Sequence, residues 1–545
     1  FLLGTFSGFS VYSNEKLSDI LNRFRLNGIQ GTSLLQDCAV LAIRGVSSAE
    51  MVRNLVEIPF RIFDGPLMKM ACSIWFAVIR ARESLSINLI ADICRHWELS
   101  IELKKGLFSQ EDDLILPEWY KMVYGPLDSR VSDAADKVAA KIKPHLVLIR
   151  LMTLVFNANL NRSDHLLKII TQFVETGLAA LAKDALVHPY ARLARFELIK
   201  FSFIVLNTHR QLQLRLVNRL TTLMFDALLA WFKKRAAFPF GGNLLKIKAD
   251  YALLKEVSKM IYSLQVPNYQ SLVEKKSILT YFFDDEISKI AVWLNPLNPS
   301  SSRGNEIDDI SSLTIMHAYR IDPGLAIALS LRYKVKNLDE LLQKLISENP
   351  VPALKYPDAV QFLIGINAKE IMPTYHLLFW EALSPIDAIT LFLPPFESNP
   401  FILQYTMRSL ESSDVNLAFF YVPQIVQLLR FDKKGYVERY ILETAHVLQL
   451  FAHQIIWNML ANLYRDEEAT DPDDLKPVLD KIQSLMIKSF SPRDKKIYER
   501  EFTFFGEVTD ILGKLKPYIK KLKAEKKVKI DEEMAKIEIL PDVYL

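Results

Sequence analysis

Glycine is scarce in this chain, at 17 of 545 residues, against roughly 7% in ordinary soluble proteins. Few positions can therefore supply the positive φ angles that hairpin turns need, which argues against a large β-sheet protein. Cysteine is scarcer still. Cys38, Cys72 and Cys94 have no paired spacing and form an odd set, each inside an apolar helical pattern. That excludes a disulfide framework and reads as reduced core residues of a cytosolic protein. No uncharged apolar run reaches the length of about 18 residues that a membrane span needs, since Lys200 interrupts LIKFSFIVL and Arg150 interrupts LVLIRLMTLVF. The chain opens on FLLGTFSGFS, with neither an initiator Met nor a signal pattern, and position 1 reads as a cut inside a longer protein. A net charge of +4 over such a length gives no global field for nucleic acid.

Reactive constellations are missing too. The sequence has no GxxxxGK[ST] loop, GxGxxG, HExxH or GxSxG, and no Asp-Phe-Gly or Asp-Arg-His triplet. Phosphoryl transfer needs metal-bound phosphates and a positioned base, so these residues alone are expected to supply no catalytic, cofactor or metal site. Among the 9 histidines, His446 and His453 stand seven apart, but neither has a Glu or Cys at ligand spacing. Both read as structural histidines bonded in or beside a core, and Trp457, four residues on from His453, reads as packing.

What is present is helix. Half of the residues are apolar and 24% are charged, arranged from Asn14 onward as amphipathic segments of roughly 12 to 20 residues with short punctuation. Thr32 and Ser33 open one that runs to Arg44, and Ser47 opens one expected to fail near Pro59. Asp64 with Pro66 opens another through Arg82. Further helices are expected over 87–107, 131–142, 144–156, 163–181, 189–206, 211–234 and 244–264. After a Pro, Ser, Gly and acid cluster at 295–309, shorter ones follow over 310–319, 324–332, 338–348, 357–366, 374–383, 385–393, 400–410, 415–429 and 435–464. Short helices cannot bury a face alone, so the expected fold is all-α, an elongated α-solenoid of the HEAT or armadillo kind, although no fixed repeat motif occurs. The expected organisation is a solenoid over 1–295, a boundary loop over 296–309, a second helical domain over 310–490 and a charged helix and linker over 491–545.

That last segment is uneven in charge. An acidic stretch, RDEEATDPDD, covers 465–474 and reads as an exposed loop. From Lys514 to Lys529 there are eight lysines (Lys514, Lys516, Lys520, Lys521, Lys523, Lys526, Lys527 and Lys529) against one glutamate, a local +7. Two readings stand: a solvated helix face, or a face drawn to anionic lipid by about 1 kcal/mol per lysine. The terminal KIEILPDVYL looks like the start of a strand, with Ile537, Ile539 and Val543 on one side.

Two apolar patterns carry the most information. In FFYVPQIVQLLR the residues Ala418, Tyr421, Val422, Ile425 and Leu428 fall at helical spacing, and so do Leu448, Phe451, Ala452, Ile455, Met459 and Leu463 around FAHQIIWNMLANLY. With IDPGLAIALSLRY from Ile321 and LFLPPFESNPFILQYTMRSLESS from Leu391, they resemble the helical (PIK accessory) domain of the type III alpha phosphatidylinositol 4-kinases. HWELSIELKKGLFS from His96 resembles the solenoid that precedes it, in the part used for dimerisation, and KIEILPDVYL resembles the strand leading into the kinase N-lobe.

The resemblance implies a parent enzyme that phosphorylates the 4-hydroxyl of phosphatidylinositol with ATP and Mg, with this chain as its scaffold. Tyr421, Pro423, Gln424, Trp457 and Asn458 would be packing or contact positions toward the kinase lobes. The implied partners are the parent's own kinase domain, a second copy, a tetratricopeptide-repeat adaptor and a palmitoylated membrane anchor. The implied location is cytoplasmic with peripheral recruitment to the plasma membrane. The competing class is a stand-alone α-solenoid adaptor of the trafficking or transport type.

Overall fold

The computed structural model describes residues 49–109, 129–159, 164–183, 187–209, 214–234, 244–266, 269–297, 310–333, 336–364, 374–396, 399–463 and 475–537, with isolated positions between 35 and 43. Among them the regular structure is 22 α-helices joined by short 3-10 turns, with no strand. The expected helix over 32–44 lies largely outside the described residues, as do Cys38, the loop at 298–309, the acidic stretch and the terminal strand. The chain divides into two compact units, Phe1–Lys344 and Leu345–Leu545.

The first unit is built from α1 (Ala49–Ile62), α2 (Gly65–Ala81), α3 (Glu83–Glu102), α4 (Ser129–Ala158), α5 (Asp164–Leu181), α6 (Arg192–His209), α7 (Leu214–Phe232), α8 (Leu244–Ser263) and α9 (Gln270–Leu294). Each packs on the helix two places along: α1 on α3, α2 on α4, and so on to α7 on α9. The odd-numbered helices thus form one layer and the even-numbered ones the other, the arrangement of an α-solenoid. Helices α10 (Ser312–Ile321) and α11 (Pro323–Arg332) continue the stack against α9.

Aromatic side chains fill the space between layers. Trp97 on α3 is fully buried, stacks 4.2 Å from Phe173 on α5 and donates its indole N–H to the Phe173 carbonyl at 3.1 Å. Gly177 lies against this ring, and a Cβ there would stand 2.8 Å from Trp97. Further along, Phe232 of α7 stacks on Phe282 of α9 at 5.3 Å.

Proline breaks two expectations. Helix α1 runs through Pro59 to Ile62 instead of failing there. Pro59 has no N–H for the Leu55 carbonyl four residues back, and that carbonyl instead accepts the Trp75 indole N–H from α2 at 3.1 Å, so the lost bond is replaced across the interface. The two helices expected on either side of residue 143 are one 30-residue helix, α4, with Pro144 inside it. Helix α9, 25 residues long, has no counterpart among the helices expected from the sequence. Its apolar face of Leu272, Ile278, Leu279, Phe282, Phe283 and Ile290 is buried, but buried Glu274, Asp285 and Glu286 interrupt the pattern.

Asp285 and Glu286 belong to a charged core. Arg192, whose side chain is 0% exposed, donates to Asp250 at 2.9 Å and to Glu286 at 2.6 Å. Arg332 of α11 meets Asp285 at 3.0 Å, and Lys246 and Lys289 reach Asp250 and Asp285 at 3.0 and 2.8 Å. Four helices, α6, α8, α9 and α11, are joined by this network. Buried charges persist only when paired and hydrogen-bonded.

The second unit follows α12 (Lys336–Glu348), in which the division between units falls. It contains α13 (Val360–Ile364), α14 (Pro385–Thr390), α15 (Pro400–Glu411), α16 (Val415–Phe419), α17 (Val422–Leu428), α18 (Tyr436–Val447), α19 (Gln449–Leu463), α20 (Leu475–Ser489), α21 (Pro492–Leu515) and α22 (Lys523–Met534). Several expected helices are shorter or divided. The segment at 374–383 is a 3-10 helix from Thr374 to Phe379, 415–429 splits at Phe420 and Tyr421, and 435–464 splits at Leu448, whose φ of −134° is extended.

Candidate functional site

The two motif segments are neighbours: α17 packs on α19, and α18 packs on both α19 and α20. Helix α17 starts after Tyr421 with Pro423 in its first turn, where the missing N–H costs nothing. Val422, Ile425, Val426 and Leu428 are buried against α19, which buries Phe451, Ala452, Ile455, Ile456 and Met459. Across the outer edge of the pair Gln427 donates through its amide to the Asn462 side chain, and Arg430 donates to Gln427 at 3.1 Å.

The expected contact residues separate by face. Pro423 and Gln424 are exposed, while Tyr421, Trp457 and Asn458 are half-buried. Trp457 turns toward α21, stacking 4.5 Å from Phe502 and meeting Phe505 edge-on at 4.6 Å. Asn458 donates to the Gln454 carbonyl of its own helix at 2.9 Å, and Asn462 repeats this on Asn458 at 2.7 Å. The structure therefore brings Trp457 into an aromatic seam and leaves Pro423, Gln424 and Gln427 at a polar edge.

His453 joins the same seam. Its Nδ1 lies 2.8 Å from Glu501 of α21, and its ring meets Phe502 edge-on at 5.8 Å. His446 departs from the expectation made for it, standing exposed near the end of α18. Sequence reading also passed over His145, the fully buried histidine of the first unit. Its Nδ1 accepts the Leu107 N–H at 3.0 Å and its Nε2 lies 3.0 Å from the Ser100 hydroxyl. Burial and the nearby Lys105 charge push its pKa down to about 3, so the ring is neutral, with the proton on Nε2. Gly106 at φ +52° lets the chain pass this ring, because a Cβ there would stand 2.8 Å from the Lys141 carbonyl. The Gly-Leu-Phe turn after a helix was the available signal for this arrangement, but nothing local marks its histidine partner.

The basic stretch forms a helical hairpin. Helix α21 ends at Leu515, a 3-10 turn covers Lys516–Tyr518, and α22 returns so that its last turn meets the last turn of α21. At the base of the hairpin Glu533, with a side chain 6% exposed, takes Lys514 at 3.5 Å, Lys529 at 3.1 Å and Lys536 at 2.5 Å. Lys529 also reaches Glu532 at 3.0 Å. The surrounding lysines hold the Glu533 carboxyl down at about 2. Lys516, Lys520, Lys521, Lys523 and Lys527 are exposed and Lys526 is half-buried.

Chemically these surfaces can bind and brace. Among the described residues no three His, Cys, Asp or Glu side chains gather to hold a metal, and no helix is long and apolar enough to cross a membrane. Cys72 and Cys94 are buried free thiols, and burial pushes the Cys72 thiol up to about 12, which makes it a poor nucleophile.

Comparison with known proteins agrees with this layout. Residues 22–265 match the PI4-kinase N-terminal region, and residues 318–499 match the accessory (PIK) domain of the phosphoinositide 3-kinase family. The phosphatidylinositol 4-kinase STT4 of Saccharomyces cerevisiae is 41% identical over 93% of this chain and 27% of its own length. The chain belongs to the phosphatidylinositol 4-kinase family. The corresponding kinase of Schizosaccharomyces pombe is 34% identical over 91% of the chain and 27% of its own length. Phosphatidylinositol 4-kinase alpha 1 of Arabidopsis thaliana is 27% identical over 52% of the chain and 14% of its own length. The chain thus spans about a quarter of the length of the first two of these lipid kinases, as an accessory helical portion. The charged core described above links the two matched regions, since Arg192 and Asp250 lie in the first and Arg332 in the second.

Proposed function

We propose that this chain is the frame on which a phosphatidylinositol 4-kinase carries its catalytic domain, the parent enzyme phosphorylating phosphatidylinositol at the 4-hydroxyl with ATP and Mg. The observation that carries the reading is the order of the two matches in one chain, N-terminal region then accessory domain. In this reading 1–295 is the solenoid, 296–309 the boundary, 310–490 the accessory domain and 491–545 the lead into the kinase. Tyr421, Pro423 and Gln424, with the Gln427–Asn462 edge, face the kinase lobes, while Trp457 and Asn458 hold α19 in shape behind them. A stiff two-layer stack suits that role, because helices packed on both neighbours transmit position with little deformation. The solenoid pairs with a second copy and docks a tetratricopeptide-repeat adaptor and a palmitoylated anchor, which bring a protein otherwise cytoplasmic to the plasma membrane.

The test is to express the coding sequence continued past Leu545 and assay phosphatidylinositol phosphorylation. ATP-dependent formation of phosphatidylinositol 4-phosphate by the longer protein, with none from these 545 residues, is the expected result. A continuation that encodes no kinase domain overturns the proposal.

A further inference from the structure

The tip of the α21–α22 hairpin combines two properties that a merely solvated charged face does not need. Ile519 and Leu522, in the turn itself, are 67% and 74% exposed. Single exposed aliphatic residues are ordinary, but two large ones within one turn, interleaved with lysines, form an amphipathic surface. Among the described residues no ion pair or side-chain hydrogen bond accompanies Lys516, Lys520, Lys521, Lys523, Lys526 or Lys527. Glu525 is the one acid among these lysines, while Glu532 and Glu533 at the other end of α22 engage Lys514, Lys529 and Lys536. Charge is thereby sorted along the hairpin, with a neutralised base and a cationic tip.

We propose that this tip is a lipid-contact element, seating Ile519 and Leu522 in the interface of an anionic bilayer while the lysines between Lys516 and Lys527 lie among its headgroups. The occupant follows from the chemistry of the side chains. Nucleic acid is read by arginine forks and stacking aromatic rings, whereas the tip has lysines only and Tyr518, its one ring, is half-buried. An acidic protein surface would satisfy the lysines but would leave the aliphatic pair in water. A bilayer takes both, the charge at the headgroups and the aliphatic side chains just below them. The proposal goes beyond the scaffold reading, since it concerns binding by this chain itself and does not require the parent to be active.

The experiment is co-sedimentation of the intact 545-residue chain with phosphatidylcholine vesicles, with and without phosphatidylserine, at low and high salt. Binding is expected only with the anionic lipid. The double variant Lys520→Glu, Lys521→Glu should lower it by at least about 25-fold, from about fivefold per lysine removed. Ile519→Ser with Leu522→Ser should abolish the part that survives high salt, which charge alone does not supply. Circular dichroism of each variant should match the parent, because the altered side chains are exposed. Equal sedimentation with neutral vesicles, an unchanged Lys520, Lys521 variant, an unchanged Ile519, Leu522 variant, or displacement by inorganic phosphate or a polynucleotide at modest concentration would each overturn the proposal. Such a failure leaves the scaffold reading standing, which the lipid-kinase assay decides separately.

Discussion

The two units are both all-helical, yet they hold their helices by different means. In the first, helices α1 to α9 run from 14 to 30 residues, and interlayer contacts support them, including an indole N–H replacing a bond that proline removed and an arginine held between two acids. In the second, helices of 5 to 7 residues occur, and local chemistry starts and stops them. Asn399 caps α15 by accepting the Phe401 and Ile402 N–H groups, Asp432 accepts those of Tyr436 and Glu438 at 2.8 Å, and Pro385, Pro400 and Pro492 stand in first turns. Long helices gain from tertiary packing of one face, whereas short ones depend on ends that are satisfied in place.

That contrast can be broken most sharply at the charged core. Arg192→Met should cost about 3–5 kcal/mol, because Asp250 and Glu286 keep their burial and lose their main counter-charge. Denaturant unfolding should then show the first unit melting early with the second unchanged; equal loss in both units would contradict the division. Trp457→Ala tests the second unit at the aromatic seam with α21, with an expected cost of about 3 kcal/mol and faster proteolysis of α21.

Acid should act on the first unit through His145. Its folded pKa, about 3, lies below the ordinary value near 6.5, so below pH 6.5 the unfolded chain takes up a proton that the folded chain refuses. Stability is therefore flat above that pH and falls as pH drops from 6.5 toward 3, by about 1.4 kcal/mol per unit from this residue. His145→Gln should lower stability at neutral pH and flatten this dependence, measured as the difference between the two proteins at pH 7 and pH 5. The smallest effect belongs to the caps: Asn399→Ala should cost about 1 kcal/mol, read as a shift in the urea midpoint of the second unit alone.

Particular residues show what was legible beforehand. Asp64 marks the opening of a helix in the sequence, and its carboxylate accepts the Leu67 N–H at 3.2 Å. Of the residues that spacing places in the core, Ala418, Val422, Ile425, Leu428, Phe451, Ala452, Ile455 and Met459 are buried, whereas Tyr421 and Leu448 are half-buried. Pro59 does not stop its helix, since its cost depends on a donor, the Trp75 indole, that another helix brings. Helix α9 went unread because its buried acids resemble a solvent face until Arg192 and Arg332 are seen beside them. The basic stretch was visible as charge, but its division into a paired base and an open tip was not.

By itself the amino-acid order determined the helical class, most helix starts and the apolar faces, because these follow from period, caps and residue type within a few turns of chain. Tertiary structure alone decided which prolines are tolerated, which charges are buried and which lysines are open, because each depends on a partner far away in sequence. Arg192 and Glu286, 94 residues apart, are the clearest case: neither residue carries any mark of the other until the layers close around them.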